Sequence, residues 1–262
     1  MKKILVLLVL SIFANASRLI VLEPSAVEIL LALKAKEQIV AIAKPSTLDI
    51  YPKEESETLE SVGTYIRPSI EKIVSLRPDL VIAGHHSVSV KQDLENFKIN
   101  TMLLNANTLK DLKENIKSLG KLVDKNEAAN ELVAKLESDI NALKDDELKG
   151  KKVLFIFSSN PLMLFCGNNL ANDLILELGM SNVCDKKEQT LIVNPEYIIG
   201  KNPDYIIYLG TDDAVFLQNP LLKHTKAYKN NKIIKVPSSK ILRASPQITL
   251  VLEDLKKELL KK

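Results

Sequence analysis

Several side chains in predicted loops have the chemistry to hold a metal complex. Tyr65 offers a phenolate oxygen, which is a hard ligand suited to ferric iron, and a flat ring that can stack on a planar chelate. His85 and His86 follow an apolar run, and either one of them approaches a metal or both remain solvated. Arg67 and Arg243 carry guanidinium groups that bind carboxylates in a bidentate manner, unless they only form surface salt bridges. These side chains are candidate ligand-binding groups.

The same sequence lacks the patterns of common enzymes. It contains no Gly-rich phosphate loop, no Gly-x-Ser-x-Gly turn and no His-Glu-x-x-His motif, so we predict no catalytic residues and no enzymatic activity. The net charge is +3 with both signs interleaved, which predicts no nucleic-acid partner. A protein that encloses a bare metal ion is an alternative, but three His, two of them adjacent, make such a cage hard to build.

The elements that must position these side chains alternate between strand and helix. Apolar runs such as residues 19–22 and 79–84 are separated by segments of helical periodicity, which predicts an α/β fold with parallel sheets. In open sheets of this kind, ligands bind outside the carboxyl ends of the strands. The predicted loops there carry six candidate binding residues: Tyr51, Tyr65, Arg67, His85, His86 and Arg243.

A long helical stretch divides the chain. Helical periodicity runs from about residue 108 to 148 without an apolar strand, and a break between two helices is expected at Gly120 and residues 124–126. The α/β alternation then resumes. We therefore predict the following division: a lobe over residues 17–125, a connecting helix over 126–148 and a second lobe over 149–262.

An internal repeat supports two similarly built lobes. Residues 68–84 and 195–210 both contain Glu-x-Ile, then Pro-Asp, then an apolar run that ends in Gly. Glu71 and Glu196 each precede the Pro by seven residues. A Glu in the first turn faces the positive end of the helix dipole, and the Pro ends the helix before a buried strand.

The amino terminus predicts export. Two Lys, an apolar run at residues 4–13 and a small-x-small site at 14–16 are typical of a secretory signal peptide over residues 1–16. The mature chain then begins near Ser17, in the periplasm, and is not a lipoprotein because no Cys lies at the cleavage point. In that oxidising compartment Cys166 and Cys184 either form a disulfide or remain buried thiols.

Three segments carry a family resemblance. They are LIVLEPSAVEILLAL near the amino terminus, SVGTYIRPSIEKIVSLRPDLVIAG in the middle of the first lobe, and LRASPQITLVLEDL near the carboxyl terminus. In their order and spacing, over essentially the whole mature chain, they resemble the periplasmic binding proteins of ferric-siderophore, haem and vitamin B12 importers. This family has two Rossmann-like lobes joined by a single long rigid helix, with a shallow cargo groove between the lobes.

The resemblance also implies partners. A surface Glu on each lobe would dock onto the permease of an ABC importer, and by position these are Glu71 and Glu196. The partners are then the permease and ATPase subunits in the inner membrane and a metal-chelate cargo. The protein is expected to be a monomer without a cofactor of its own.

The resemblance leaves the cargo open among three chelates. Arg67 and Arg243 could pair with carboxylates of haem or a siderophore, and Trp, which could stack on vitamin B12, is absent, so we rank haem first and ferric siderophore next. Vitamin B12 is the alternative, since the LRASP segment resembles that group most. If the cargo is haem, Tyr65 ligates its iron, although haem binders usually carry this Tyr one residue away.

Overall fold

The computed structural model describes residues 18–45, 49–184, 186–209, 215–236 and 241–261. The predicted signal peptide and the start near Ser17 lie outside these residues. Within them, no helix combines the length and apolar character that a membrane span requires.

The first half of the chain forms a four-stranded parallel sheet. Its strands are β1 (Leu19–Val21), β2 (Ile39–Ile42), β3 (Leu80–Ala83) and β4 (Thr101–Leu103), in the order β2-β1-β3-β4. Their short apolar runs are nearly continuous, as expected for parallel strands that are covered on both faces.

The second half forms a mixed sheet. Its strands are β5 (Lys152–Ser159), β6 (Leu162–Phe165), β7 (Ser181–Asn182), β8 (Thr190–Ile192), β9 (Tyr205–Leu209) and β10 (Ile233–Val236), in the order β10-β9-β5-β6-β8, with β7 paired to β5. Strands β5, β7, β9 and β10 run parallel, whereas β6 is antiparallel to both β5 and β8. The α/β prediction is confirmed. The β5–β6 hairpin departs from a purely parallel sheet because only Asn160 and Pro161 separate the two strands.

Ten α-helices are described in these residues. They are α1 (Pro24–Ala32), α2 (Lys53–Ser56), α3 (Ile70–Ser75), α4 (Lys91–Asn96), α5 (Leu109–Leu122), α6 (Asn126–Ala142), α7 (Leu170–Glu177), α8 (Pro195–Lys201), α9 (Lys226–Lys229) and α10 (Ile248–Leu260). Four 3₁₀ segments lie at Lys36–Gln38, His85–Val90, Val215–Gln218 and Pro220–His224.

The predicted break in the helical stretch lies after Leu122, where Asp124 adopts a left-handed conformation. Gly120 is not part of this break, because it lies inside α5 where α5 packs on α6. A Cβ atom there would collide with Ala129 of α6. The glycine therefore permits close packing of two helices instead of ending one of them.

One hydrophobic core runs through both halves of the molecule. It joins Val21 and Ile82 of the first sheet, through α1, α5 and α6, to Phe155 and Ile207 of the second sheet. Two smaller clusters lie on other faces of the two sheets. Because side chains of both sheets share this core, movement of one sheet against the other would disturb close packing.

The internal repeat has a matching three-dimensional structure. Asp79 accepts a hydrogen bond from the backbone N–H of Arg18, just before β1, at 2.7 Å, and its own N–H donates to the Arg18 carbonyl at 2.9 Å. Asp204 makes the same two bonds with Lys152 at the start of β5, at 2.9 and 2.8 Å. We call this arrangement the Pro-Asp clasp. In each half it holds the start of the repeat strand against a neighbouring strand.

Candidate functional site

A groove of about 440 Å³ lies between the two sheets. Its lining is Glu23, Ser25, His85, His86, Leu104, Asn105, Ala106, Asn107, Gln189, Leu242, Arg243 and Ala244. The first eight follow strands of the first sheet, and the last four belong to the second half of the chain. A groove with walls from two α/β units is suited to hold a small molecule rather than to enclose an ion.

Three parallel strands of the first sheet deliver their following residues to this groove. Glu23 comes after β1, His85 and His86 come after β3, and residues 104–107 come after β4. These are carboxyl ends of neighbouring strands, which is where open α/β sheets bind ligands.

Glu23 is held in place at the start of α1. Its carboxylate accepts hydrogen bonds from the backbone N–H and the hydroxyl of Ser25, at 3.3 and 3.0 Å. The side chain fits against Gly84, where a Cβ atom would clash with its carboxylate. Burial raises the pKa of Glu23 above 4.5, while the Ser25 hydrogen bonds and the nearby His86 and Arg243 act in the opposite direction.

In sequence, Ser25 and Glu28 match the Ser-x-x-Glu pattern of a capping box, which would make Ser25 the N-cap residue, but the structure does not use this pattern. Glu23 is the N-cap residue and Pro24 occupies the first turn, so the helix begins earlier than the Ser25 pattern indicates. Pro is favoured at this position because its missing N–H would have no partner there. Glu28 is consequently free to make tertiary contacts.

Glu28 and Arg243 form a buried ion pair that joins the two halves of the molecule. The distance from Arg243 Nη1 to Glu28 Oε1 is 2.6 Å. The Arg243 side chain is 15% exposed and the Glu28 side chain is 1% exposed. Arg243 Nη1 also donates to the Asp49 carbonyl at 2.7 Å, and Glu28 Oε1 accepts the N–H of Tyr51 at 3.2 Å. Arg243 thus lines the groove, and its charge is already balanced by Glu28.

Tyr65 lies beside the groove. Its ring is 5.5 Å from that of His86 in an edge-to-face arrangement, and it packs against the core cluster that contains Val62. His85 and His86 are also edge to face, with their ring centres 5.8 Å apart. Tyr65, His85 and His86 therefore form a small aromatic cluster at the edge of the groove.

Two candidate binding residues lie outside the described groove lining. Arg67 is exposed and is not among the lining residues, and Tyr51 is exposed while its backbone contacts Glu28. Their side chains have no direct place in the groove wall.

The structure adds groove residues that sequence reasoning missed. Asn105 and Asn107 follow β4, so the rule on strand ends could have identified them. Gln189 precedes β8 and had no such signal.

A covalent and hydrogen-bonded support lies behind Gln189. Cys166 and Cys184 form a disulfide in the structure. The Asn169 side-chain amide donates to the Cys166 carbonyl at 3.0 Å and to the Gln189 carbonyl at 2.8 Å. This network ties the segment before β8 to the end of β6, next to the groove.

The two repeat acids lie away from the groove lining. Glu71 and Glu196 are exposed in the first turns of α3 and α8, each after a capping residue, Ser69 or Asn194. Glu71 also accepts a hydrogen bond from the Ser69 hydroxyl at 3.1 Å. Within the described parts of the chain, no group of three or more His, Cys, Asp or Glu could hold a metal ion.

Relatives in Vibrio are similar along much of the chain. A vitamin B12-binding protein of Vibrio campbellii is 29% identical over 66% of this chain and 64% of its own length, just under two thirds of that relative. A vitamin B12-binding protein of Vibrio parahaemolyticus is 27% identical over 88% of this chain and 84% of its own length.

Solved structures share the fold. A possible iron-binding periplasmic solute-binding protein from Staphylococcus epidermidis has a TM-score of 0.85 at 24% identity, covering 94% of this chain and 100% of that one. The periplasmic haem-binding protein HutB of Vibrio cholerae has a TM-score of 0.77 at 22% identity, with 94% and 100% covered.

The family comparison covers most of the chain. The family described as periplasmic binding protein matches residues 19–240, a range that contains both sheets and most of the groove lining. The chain therefore belongs to the periplasmic binding protein family.

Proposed function

We propose that this protein is the periplasmic substrate-binding component of an ABC importer and delivers a metal chelate to an inner-membrane permease. The groove between the two sheets supports a carrier role, since its walls come from both halves of the chain. It offers carboxylate, imidazole, amide and guanidinium groups for contacts with a small molecule. We assign the lobes to residues 17–125 and 149–262, with residues 126–148 as the connection.

The charge of the groove favours a chelate without free carboxylates, and cobalamin is the best fit. The observation that carries this choice is the pairing of Arg243 with Glu28 at 2.6 Å. Asn105, Asn107 and Gln189 add amide groups, which can exchange hydrogen bonds with the amide side chains of a corrinoid. The vitamin B12-binding relatives support the same cargo.

Haem is the second candidate, because Tyr65 lies beside His86 at the edge of the groove. A phenolate and an imidazole are both ligands of ferric haem iron. In this alternative Tyr65 ligates the cargo iron. Replacing Tyr65 by Phe keeps the ring and removes the oxygen, so unchanged haem absorption bands in that variant would exclude Tyr65 as the ligand.

Equilibrium dialysis of the mature chain against cyanocobalamin, haemin and a ferric siderophore tests the proposed function. We expect one equivalent of cyanocobalamin to bind and to do so more tightly than either competitor. Tight haemin binding without cyanocobalamin binding would replace the cargo assignment and keep the carrier role. Absence of binding by all three chelates would overturn the proposal.

A further inference from the structure

We propose that Glu28 determines the charge of the cargo: by holding Arg243, it makes the groove reject anionic chelates. The inference rests on the proposed carrier function. It assigns a specificity role to a residue that is not part of the groove lining and acts through Arg243.

The buried carboxylate of Glu28 is stabilised mainly by its ion pair with Arg243. Its side chain is 1% exposed, and one oxygen, Oε1, accepts both the Arg243 Nη1 donor at 2.6 Å and the Tyr51 N–H at 3.2 Å. The second oxygen, Oε2, has no hydrogen-bond partner among the described residues. A buried carboxylate with so few partners is strongly destabilised when its counter-charge leaves.

Among the described lining residues, Arg243 is the permanent cation. The other titratable groups described in the lining are Glu23, His85 and His86, with no Lys among them. Glu23 carries a negative charge when ionised and would repel an anionic cargo. Within the described lining, a cargo carboxylate would therefore have Arg243 as its permanent positive partner.

Recruitment of Arg243 has a high cost. Nη1, one of its three nitrogens, contacts Glu28 and the Asp49 carbonyl at 2.6 and 2.7 Å. If Arg243 moves fully to a cargo carboxylate, it leaves the buried Glu28 charge uncompensated. If it stays, the cargo carboxylate meets an ion pair whose charges already cancel. A neutral chelate requires no such exchange and binds with the ion pair intact. Specificity of this kind arises from a penalty on the wrong ligand rather than from an added contact to the right one.

The test uses two pairs of chelates in which one member carries free carboxylates and the other has them as amide or ester. The first pair is cyanocobalamin and its monocarboxylic acid, in which one amide is hydrolysed. The second pair is haemin dimethyl ester and haemin. In each pair, the affinity for the acid divided by the affinity for the neutral chelate measures how strongly carboxylate is rejected, whichever chelate is the natural cargo, and a low ratio means strong rejection. Failure of cyanocobalamin to bind would thus count against the cargo assignment, while the haem pair would still measure the role of Glu28.

The variant Glu28→Gln removes the charge and keeps an oxygen for the Tyr51 N–H. With Arg243 released to pair with a cargo carboxylate, we expect the acid-to-neutral ratio of affinities to rise by roughly tenfold or more. The double variant Glu28→Gln/Arg243→Gln is the matched control. It lacks the released cation, so its ratio should return to that of the parent.

Glu28→Met provides a second removal of the charge with an unbranched side chain suited to a buried site. It should raise the ratio as Glu28→Gln does. Thermal unfolding of each variant establishes that it is folded before binding is compared. An unchanged ratio in the folded single variants, for the pair of chelates that binds, would overturn the proposal. A rise that persists in the double variant would overturn it as well.

Discussion

The two repeat units of this chain share their scaffold, while the described groove lining draws unequally on the two halves. In residues 68–84 and 195–209, a capped helix with an exposed Glu in its first turn leads to a left-handed residue, Arg77 or Asn202, and then to Pro-Asp and a strand. The Pro-Asp clasp is the same in both units. The hydrogen bonds that attach each repeat strand to its neighbouring strand are therefore the same in both units.

The strand ends show the difference. Among the described residues, β3 continues into His85 and His86 at the groove, and the second half supplies Gln189 and residues 242–244. The second sheet also contains the antiparallel β5–β6 hairpin, whereas the four described strands of the first sheet are all parallel. In the described parts of the chain, the repeated scaffold is thus pseudo-symmetric and the groove lining is not.

The largest effect is expected on transport, when the exposed first-turn Glu of both repeat units is removed. The double variant Glu71→Ala/Glu196→Ala should reduce cargo uptake by about tenfold or more, since these charges are expected to steer docking to the permease. Cargo affinity should stay unchanged because both residues lie outside the groove lining. A control variant, Glu54→Ala/Glu131→Ala, removes two exposed acids from other helices and should transport normally. Loss of cargo binding in the Glu71/Glu196 variant would contradict this assignment.

The next effect concerns the stability of the two clasps. Asp79→Ala and Asp204→Ala each remove a carboxylate that accepts a backbone N–H, so each should lower the free energy of unfolding by about 1–2 kcal/mol. Urea unfolding of both variants measures the comparison. Asp93→Ala, at an exposed helical position, serves as the control and should change stability little. A large loss in one variant and none in the other would show that the two units are not energetically equivalent.

A smaller, pH-dependent effect is expected at Glu23, which lines the groove and lies against Gly84 at the end of the first repeat unit. Burial raises the pKa of Glu23 in the folded state, so its ionised form lowers stability above that raised pKa. Glu23→Gln should therefore increase the melting temperature at neutral pH. The increase should shrink as pH falls through the raised pKa and vanish below the unfolded value near 4.5. Thermal unfolding of both proteins from pH 4 to 8 measures it, and a difference that grows on acidification would have the wrong sign.

The smallest effect is expected at the left-handed residues before Pro-Asp. Arg77 has a φ of 47° where Asn202 has 43°, and Asn tolerates this conformation better than Arg. Arg77→Asn should raise the free energy of unfolding by about 0.5 kcal/mol. The reverse exchange, Asn202→Arg, should lower it by at least as much, because Asn202 also accepts a hydrogen bond from the Lys226 N–H. Equal stabilities for Arg77→Asn and the parent would show that the backbone at Arg77 is not strained.

Local patterns predicted the scaffold well. The alternation of strands and helices and the repeat could be recognised because continuous apolar runs, first-turn acids and Pro-Asp are local signals. The same local rules failed at Ser25 and Gly120. A neighbouring Pro moved the start of α1 in the first case, and close helix packing explains the glycine in the second.

The site was less accessible to sequence reasoning because its decisive contacts are distant in the chain. Glu28 and Arg243 are separated by 215 residues, and no local pattern reveals that the charge predicted to bind cargo is paired. Gln189 reaches the groove through a segment tied down by Asn169 beside the disulfide. These features depend on tertiary packing, so the position of Arg243 in a predicted loop made it a candidate for the groove without revealing its partner.

Hydrogen exchange with and without cyanocobalamin tests most directly the claim that cargo binds between the two halves. Binding in the groove should slow exchange in backbone amides of residues 23–28, 84–87 and 104–109 of the first half. It should also slow exchange in residues 186–190 and 241–247 of the second half, with α3 and α8 unchanged. Protection confined to one half, protection centred on α3 and α8, or no protection at saturating cyanocobalamin would contradict this claim.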